Sequence, residues 1–163
     1  MKTCFDPVIY PDSKILILGT MPGEKSLELQ EYYGNRGNQF WRLLFTLFNE
    51  GMTQDYNLKL DLLQRHRIAV WDVIEGCERE GSLDSNIKRE VPNDLIGFYE
   101  RYPNISHVFF SSKNAAAYYD RYIGRTQGIA YETLPSPSGA NATRSFAEKL
   151  AEWKQKILSA LVE

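Results

Sequence analysis

Short apolar runs alternate with longer stretches of helical periodicity along this 163-residue chain. Residues 14–18, Lys-Ile-Leu-Ile-Leu, run apolar up to Gly19 and predict a buried strand. A polar, Gly-rich stretch follows, with room for one helical turn past Ser26. Within 39–49, Phe40, Leu43, Leu44, Leu47 and Phe48 recur at helical spacing, and Asn38 stands where a cap belongs. Residues 68–74 predict a second strand closed by the turn residues Glu75 and Gly76. A helix is expected from Pro92 and Asn93 through Tyr99, stopping before Pro103. A third strand at 107–110 leads into a helix at 113–122, and Gly124 and Gly128 frame a turn before a fourth strand at 129–134. Phe146, Leu150, Trp153, Ile157 and Leu161 mark the apolar stripe of a closing helix, with Asn141 as its expected cap and Arg144 in its first turn.

Strands that are apolar throughout and alternate with helices indicate a parallel sheet covered on both faces. The expected fold is therefore α/β, three layers (α/β/α) around a central four-stranded parallel sheet, in one domain over residues 1–163. Such sheets bind ligands at the carboxyl ends of their strands. The chemistry is expected in the loops after residues 18, 74, 110 and 134.

Composition narrows the function classes. A net charge of -2 argues against a protein that coats nucleic acid by bulk electrostatics, while leaving room for a local grip on a few phosphates. Aromatic residues at 13% suit a dense core or a site that stacks flat ligands. Cys4 and Cys77 are too few for a four-cysteine zinc or iron–sulfur site. The first residues carry no long apolar stretch, so a cytoplasmic protein with no membrane partner is expected.

Gly19 and Gly23 would let backbone approach a ligand closely, with Pro22 stiffening the turn between them; a purely structural turn has the same composition. Asp72, beside Trp71 on a strand, is expected as a buried, hydrogen-bonded carboxylate. His66 and His107 do not form a ligand pair and read as structural or surface residues. Lys25, Arg36 and Lys113 fall on the expected ligand side, as phosphate contacts or as solvated charges.

Three separated motifs occur in order: Gly-Thr-Met-Pro-Gly at 19–23 with Tyr32, Tyr33 and Asn-Gln-Phe-Trp at 38–41; the segment 71–85 containing Gly-Ser-Leu-Asp-Ser; and Leu-Pro-Ser-Pro-Ser-Gly-Ala-Asn-Ala at 134–142. Together they resemble the uracil-DNA glycosylase superfamily, in particular its hypoxanthine (deoxyinosine) branch, related to mismatch-specific uracil and thymine enzymes. The resemblance implies an enzyme that flips a deaminated base out of DNA and hydrolyses its glycosidic bond, with no metal and no cofactor. It places Tyr33 as the stacking platform and Asn38 as the catalytic amide. Gly19, Met21, Pro22, Ser82 and Ser111 would line the base pocket, with Asp84 near them. Tyr32 is either packing or pocket wall. Ser136, Ser138, Gly139, Asn141 and Arg144 would meet the DNA backbone.

Two departures from the family pattern matter. Met21 stands where many members carry a carboxylate or amide that orients water, and Ser111 stands where relatives often have Asn. Met21 shifts the expected base from uracil towards hypoxanthine. Both also keep open a DNA-binding module with weak or absent catalysis, and a hydrolase of free nucleosides remains a third reading. The motifs hold no nucleophilic lysine, so a monofunctional enzyme, working as a monomer on damaged DNA, is expected.

Overall fold

Ile15–Gly19 has no exposed residue and lies at the middle of the main sheet, as a run of uninterrupted apolar side chains requires. The computed structural model describes residues 1–141 and 143–163; Ala142, the last residue of the third motif, lies outside them. In chain order the elements are β1 (Lys2–Thr3), β2 (Ile15–Gly19), α1 (Glu24–Leu29), α2 (Phe40–Leu47) and α3 (Tyr56–Arg65). Then come β3 (Ile68–Asp72), β4 (Ile74–Glu78), β5 (Lys88–Pro92), α4 (Leu95–Arg101) and β6 (His107–Phe110). The chain closes with α5 (Lys113–Tyr122), β7 (Ala130–Thr133) and α6 (Phe146–Val162). Among the described residues no helix is long and apolar enough to cross a membrane.

The main sheet has the order β3-β2-β6-β7, with every pair parallel, as the strand pattern predicts. Its register sets Gly19 opposite Asp72, Leu18 opposite Phe110, and Phe110 opposite Thr133. The carboxyl ends of all four strands therefore finish level, along one edge. The chain moves from β2 outward to β3, then back across to β6 and β7. Right-handed crossovers consequently put the helices of these two halves on opposite faces. On one face α2 meets α6, with the Phe40 and Trp153 rings 5.9 Å apart; α4 and α5 are joined by a 2.8 Å bond between the Tyr99 and Tyr119 hydroxyls.

Several elements differ from the sequence expectation. The strand expected over 68–74 breaks at Val73, whose N–H goes to Gly19 O. Glu75 and Gly76 are not a turn: they lie in β4, the centre of a second, antiparallel sheet of order β1-β4-β5. A Cβ at Gly76 would sit 3.3 Å from Lys2 O, so the glycine serves strand approach. β5, Lys-Arg-Glu-Val-Pro, is an edge strand with no apolar alternation to announce it. α3 has leucines at 58, 60 and 62 in a strand-like alternation, and of its hydrophobic residues only Leu62 and Leu63 are fully buried. The helix expected from Pro92 starts at Leu95, because Asp94 caps it through the Gly97 N–H, 3.0 Å.

α6 also departs in detail. Its cap is Ser145, not Asn141, in a reciprocal pairing with Glu148: each side chain accepts the other's backbone N–H at 3.1 Å. Arg144 thus precedes the first turn. The most buried stripe runs through Lys149, Trp153, Ile157 and Ala160, while Phe146, Leu150 and Leu161 flank it. Ser145→Ala removes the acceptor for one orphan N–H and is expected to lower unfolding free energy by about 1 kcal/mol, read as a shifted urea midpoint with unchanged slope.

Candidate active site

The level strand ends open into a cavity of about 440 Å³. Of the residues expected in the site, Met21, Pro22, Tyr33, Asn38, Ser82 and Ser111 line it, as do Ser136, Ser138 and Asn141 from the third loop. Gly19, Gly139 and Arg144 are not in the lining. The first two act by having no side chain. A Cβ on Gly19 would fall 2.7 Å from Asp72 Oδ1 and 3.0 Å from the Tyr33 hydroxyl. One on Gly139 would fall 2.5 Å from Gly37 O, so that glycine lets the first and third loops touch.

Tyr33 is held in a left-handed backbone conformation, φ 53°, unusual for a residue with a side chain. Its ring stacks on Phe40 at 3.8 Å and 12°, so the buried Phe40 backs one face of that ring. Its hydroxyl donates to Ser111 Oγ at 3.2 Å, and burial raises its pKa first, followed by the Asp72 charge. Tyr32 is both packing and pocket wall: it lines the cavity while its hydroxyl donates to Asp6 O at 2.9 Å and its carbonyl accepts from Trp41 Nε1 at 2.8 Å.

Asn38 does the work of a cap, though the helix boundary falls one residue later: its Oδ1 accepts the Phe40 N–H at 2.9 Å. Because that oxygen is engaged, the amide NH₂ is the end left without a partner among the described residues. Asn38 therefore offers the cavity a donor whose orientation is set by the start of α2.

The first and third loops are bonded into one wall. Gln39 N–H donates to Pro137 O at 2.7 Å. Lys149, 1% exposed, reaches up from α6 to donate to Gln39 Oε1 at 2.8 Å and Asn141 O at 3.1 Å, with Ser138 O at 3.5 Å. Burial lowers its pKa, with Arg144 acting in the same direction. Within the third loop the hydroxyls are occupied locally: Ser136 Oγ takes the Ser138 N–H and Ser138 Oγ takes the Ala140 N–H, both at 3.2 Å. Arg144 is turned to Glu152, 2.9 Å away.

The middle segment supports the site from the other side. Arg79, buried, donates to Pro22 O and stands 3.9 Å from Asp84 Oδ1, tying the segment after β4 to the first loop. Ser82 Oγ accepts the Glu24 N–H at 2.8 Å, which ties its oxygen to the start of α1 and leaves its O–H to donate. Asn114, which the sequence did not single out, lines the cavity near Asp84 at 3.4 Å. His66 pairs with Glu50 and stacks on Phe48, and His107 pairs with Glu163; neither reaches the cavity, in keeping with structural roles.

Asp72 departs from expectation. It is buried at the end of β3 and lines the cavity, yet its Oδ2 has no hydrogen-bond partner among the described residues. Its carboxyl is pushed up to about 7, chiefly by burial and then by the Asp84 charge, with Arg79 pulling the other way. Folding thus tightens proton binding. The resulting stability is fully present below the unfolded value of about 4 and is lost as pH rises to about 7. Asp72→Asn is expected to raise the melting temperature over wild type at about pH 8, with the gain disappearing below about pH 4.

A family model for the uracil DNA glycosylase superfamily matches residues 7–162. A protein of Methanosarcina acetivorans named hypoxanthine DNA glycosylase is 38% identical over 157 residues, covering 94% of this chain and 96% of that protein. One of the same name from Methanosarcina barkeri is 37% identical over 155 residues, with the same coverage, 94% and 96%. A solution NMR structure from Methanosarcina acetivorans, described as a candidate uracil DNA glycosylase, superposes with a TM-score of 0.84 at 37% identity, covering 98% of each chain. With the model matched along nearly its whole length, and the fold shared, the chain belongs to the uracil DNA glycosylase superfamily.

Proposed function

We propose that this chain is a monofunctional DNA glycosylase, a single catalytic domain that hydrolyses the N-glycosidic bond of a flipped, deaminated base and leaves an abasic site. Hypoxanthine is the favoured base and uracil a lesser one. The observation that carries the reading is the convergence in one cavity of a stacked ring, an oriented amide and a buried floor of polar groups. The names of the two Methanosarcina relatives support the choice of base.

In this reading a base leaves the duplex and lies on the Tyr33 ring, which Phe40 keeps from yielding. As the bond to the sugar lengthens, negative charge gathers on the base, and the Asn38 NH₂ is a fixed donor able to meet it. Met21 contributes an apolar wall and no proton chemistry. The wall of Ser136, Ser138, Gly139 and Asn141 faces the DNA strand beside the flipped base, with Arg144 behind it. Hydrolysis, and not strand cutting through a lysine adduct, fits the amines at hand. Lys149 spends its protons on three oxygens, and Lys25 is paired with Glu28 at 3.6 Å.

The test is incubation with duplex and single-stranded oligonucleotides carrying one hypoxanthine, uracil or xanthine, followed by alkali. Abasic product is expected, most from hypoxanthine; binding without product on any lesion would favour a non-catalytic module. Asn38→Ala is expected to slow release about 10²–10³-fold with DNA affinity nearly kept, as for loss of one donor to a developing anion. Tyr33→Ala is expected to weaken retention of the flipped base by about 1–3 kcal/mol, read from competition by lesion-containing and undamaged DNA.

A further inference from the structure

The floor of the cavity holds an ionisable group that the reading above does not use. Asp72 ends β3 with its main-chain carbonyl pinned by Asn93 Nδ2 at 2.8 Å, so the residue is fixed while its side chain is free. The point 2.7 Å from its Oδ1, above Gly19, is also 3.0 Å from the Tyr33 hydroxyl and 3.5 Å from Ser111 Oγ. Three polar groups thus meet beneath the edge of the ring proposed as the stacking platform. Their hydrogen bonding is unequal: the Tyr33 hydroxyl is given to Ser111, whereas Asp72 Oδ2 is buried and unpartnered among the described residues.

We propose that Asp72 is the general acid of this site, passing its carboxyl proton to a ring nitrogen of the departing purine. The proposal rests on the glycosylase reading and deepens it. When the C1′–N9 bond breaks, its electron pair leaves with the base. The Asp72 O–H bond breaks and its proton neutralises that charge at N7 or N3, so hypoxanthine departs neutral and Asp72 becomes a carboxylate. Water bonds to C1′ and loses a proton to solvent, and solvent returns one to Asp72. Purines keep basic ring nitrogens free for such a transfer. Uracil leaves through N1 with its other nitrogen already protonated, so an acid here favours hypoxanthine.

The surroundings suit a carboxyl that stays protonated. Titratable groups face it from each neighbouring element: Tyr32 and Tyr33 from the loop before α2, Cys4 from the segment after β1, and Arg79 and Asp84 from the stretch joining β4 to β5. Arg79 is the single cation in that group. It is drawn to Pro22 O and towards Asp84, and makes no ion pair with Asp72. Burial and the Asp84 charge outweigh it and hold the carboxyl's pKa up to about 7.

The experiment is single-turnover release from DNA carrying hypoxanthine, measured across neutral pH with wild type and Asp72→Asn, and repeated with 7-methylhypoxanthine. The methylated ring carries a positive charge at N7 and needs no proton at that nitrogen to leave. Wild type is expected to be flat on the acid side and to slow about tenfold per pH unit above the carboxyl's titration. Asp72→Asn is expected to be about 100-fold slower on hypoxanthine, flat with pH, and nearly unchanged on the methylated base. The proposal is overturned if the variant keeps the wild-type rate, if it slows both bases alike, or if the wild-type rate climbs with pH. Should the variant not fold, the wild-type pH profile decides alone. A wild type inactive on every lesion would fell the glycosylase reading itself, whereas an active one with no alkaline fall would remove only the acid.

Discussion

At Gly19 the backbone carries no Cβ, and the space a methyl group would fill is where the Asp72 carboxylate, the Tyr33 hydroxyl and the Ser111 hydroxyl converge. The parallel register makes this convergence possible. It places Gly19 beside Asp72 on one side and ends β6 one residue before Ser111 on the other. φ at Gly19 is not in the left-handed range, so the glycine is there for room and not for conformation. Any larger residue would push the buried Asp72 carboxyl and the Tyr33 hydroxyl aside. The shape of the cavity floor thus follows from one absent side chain at the middle of a fully buried sheet.

The walls depend on a different device. The loops that begin α2 and α6 come from opposite ends of the sequence, and loops of this kind ordinarily move independently. Here they share the Gln39 to Pro137 bond, the Gly37 and Gly139 contact, and a buried lysine that donates to both. Lys149 has oxygens of amides and carbonyls as partners instead of a carboxylate. Removing any one of them leaves a buried charge underserved, so the wall is costly to open piecemeal. Asn38 lies within this joined structure, and the direction of its amide is inherited from it.

Much of this was legible in the sequence, and the misses have physical causes. The apolar runs announced β2, β3 and β6 because a strand buried on both faces cannot hide its composition. β7, a half-exposed edge strand, was legible from the glycine-framed turn before it. Tyr33 and Asn38 could be placed because a motif fixes their spacing from Gly19. β5 was missed because it has few apolar residues of its own, and α3 because its leucines at 58, 60 and 62 alternate like those of a strand. Lys149 reads as a solvated lysine on an amphipathic helix, and only the two loops folding over it make it interior. For Asp72 the burial was foreseeable from Trp71 and Val70 beside it. The lack of a partner was not, since it depends on Arg79 being drawn elsewhere.

An acidic chain that handles a polyanion needs its negative charge to be out of the way at the right moment. Asp72 and Asp84 both line the cavity, where ionised carboxylates would repel a phosphate strand. A protonated Asp72 removes its own share of that repulsion before DNA arrives. Phosphates drawn over the cavity then add negative charge near the carboxyl, and a flipped base displaces water from around it. Both changes disfavour the carboxylate, so substrate binding holds the proton in place more firmly than the free protein does. Once the base has taken that proton and left, the carboxylate that remains faces a buried, negatively charged surrounding. That is an unfavourable state, relieved by reprotonation as water re-enters, and it biases the site towards release and resetting.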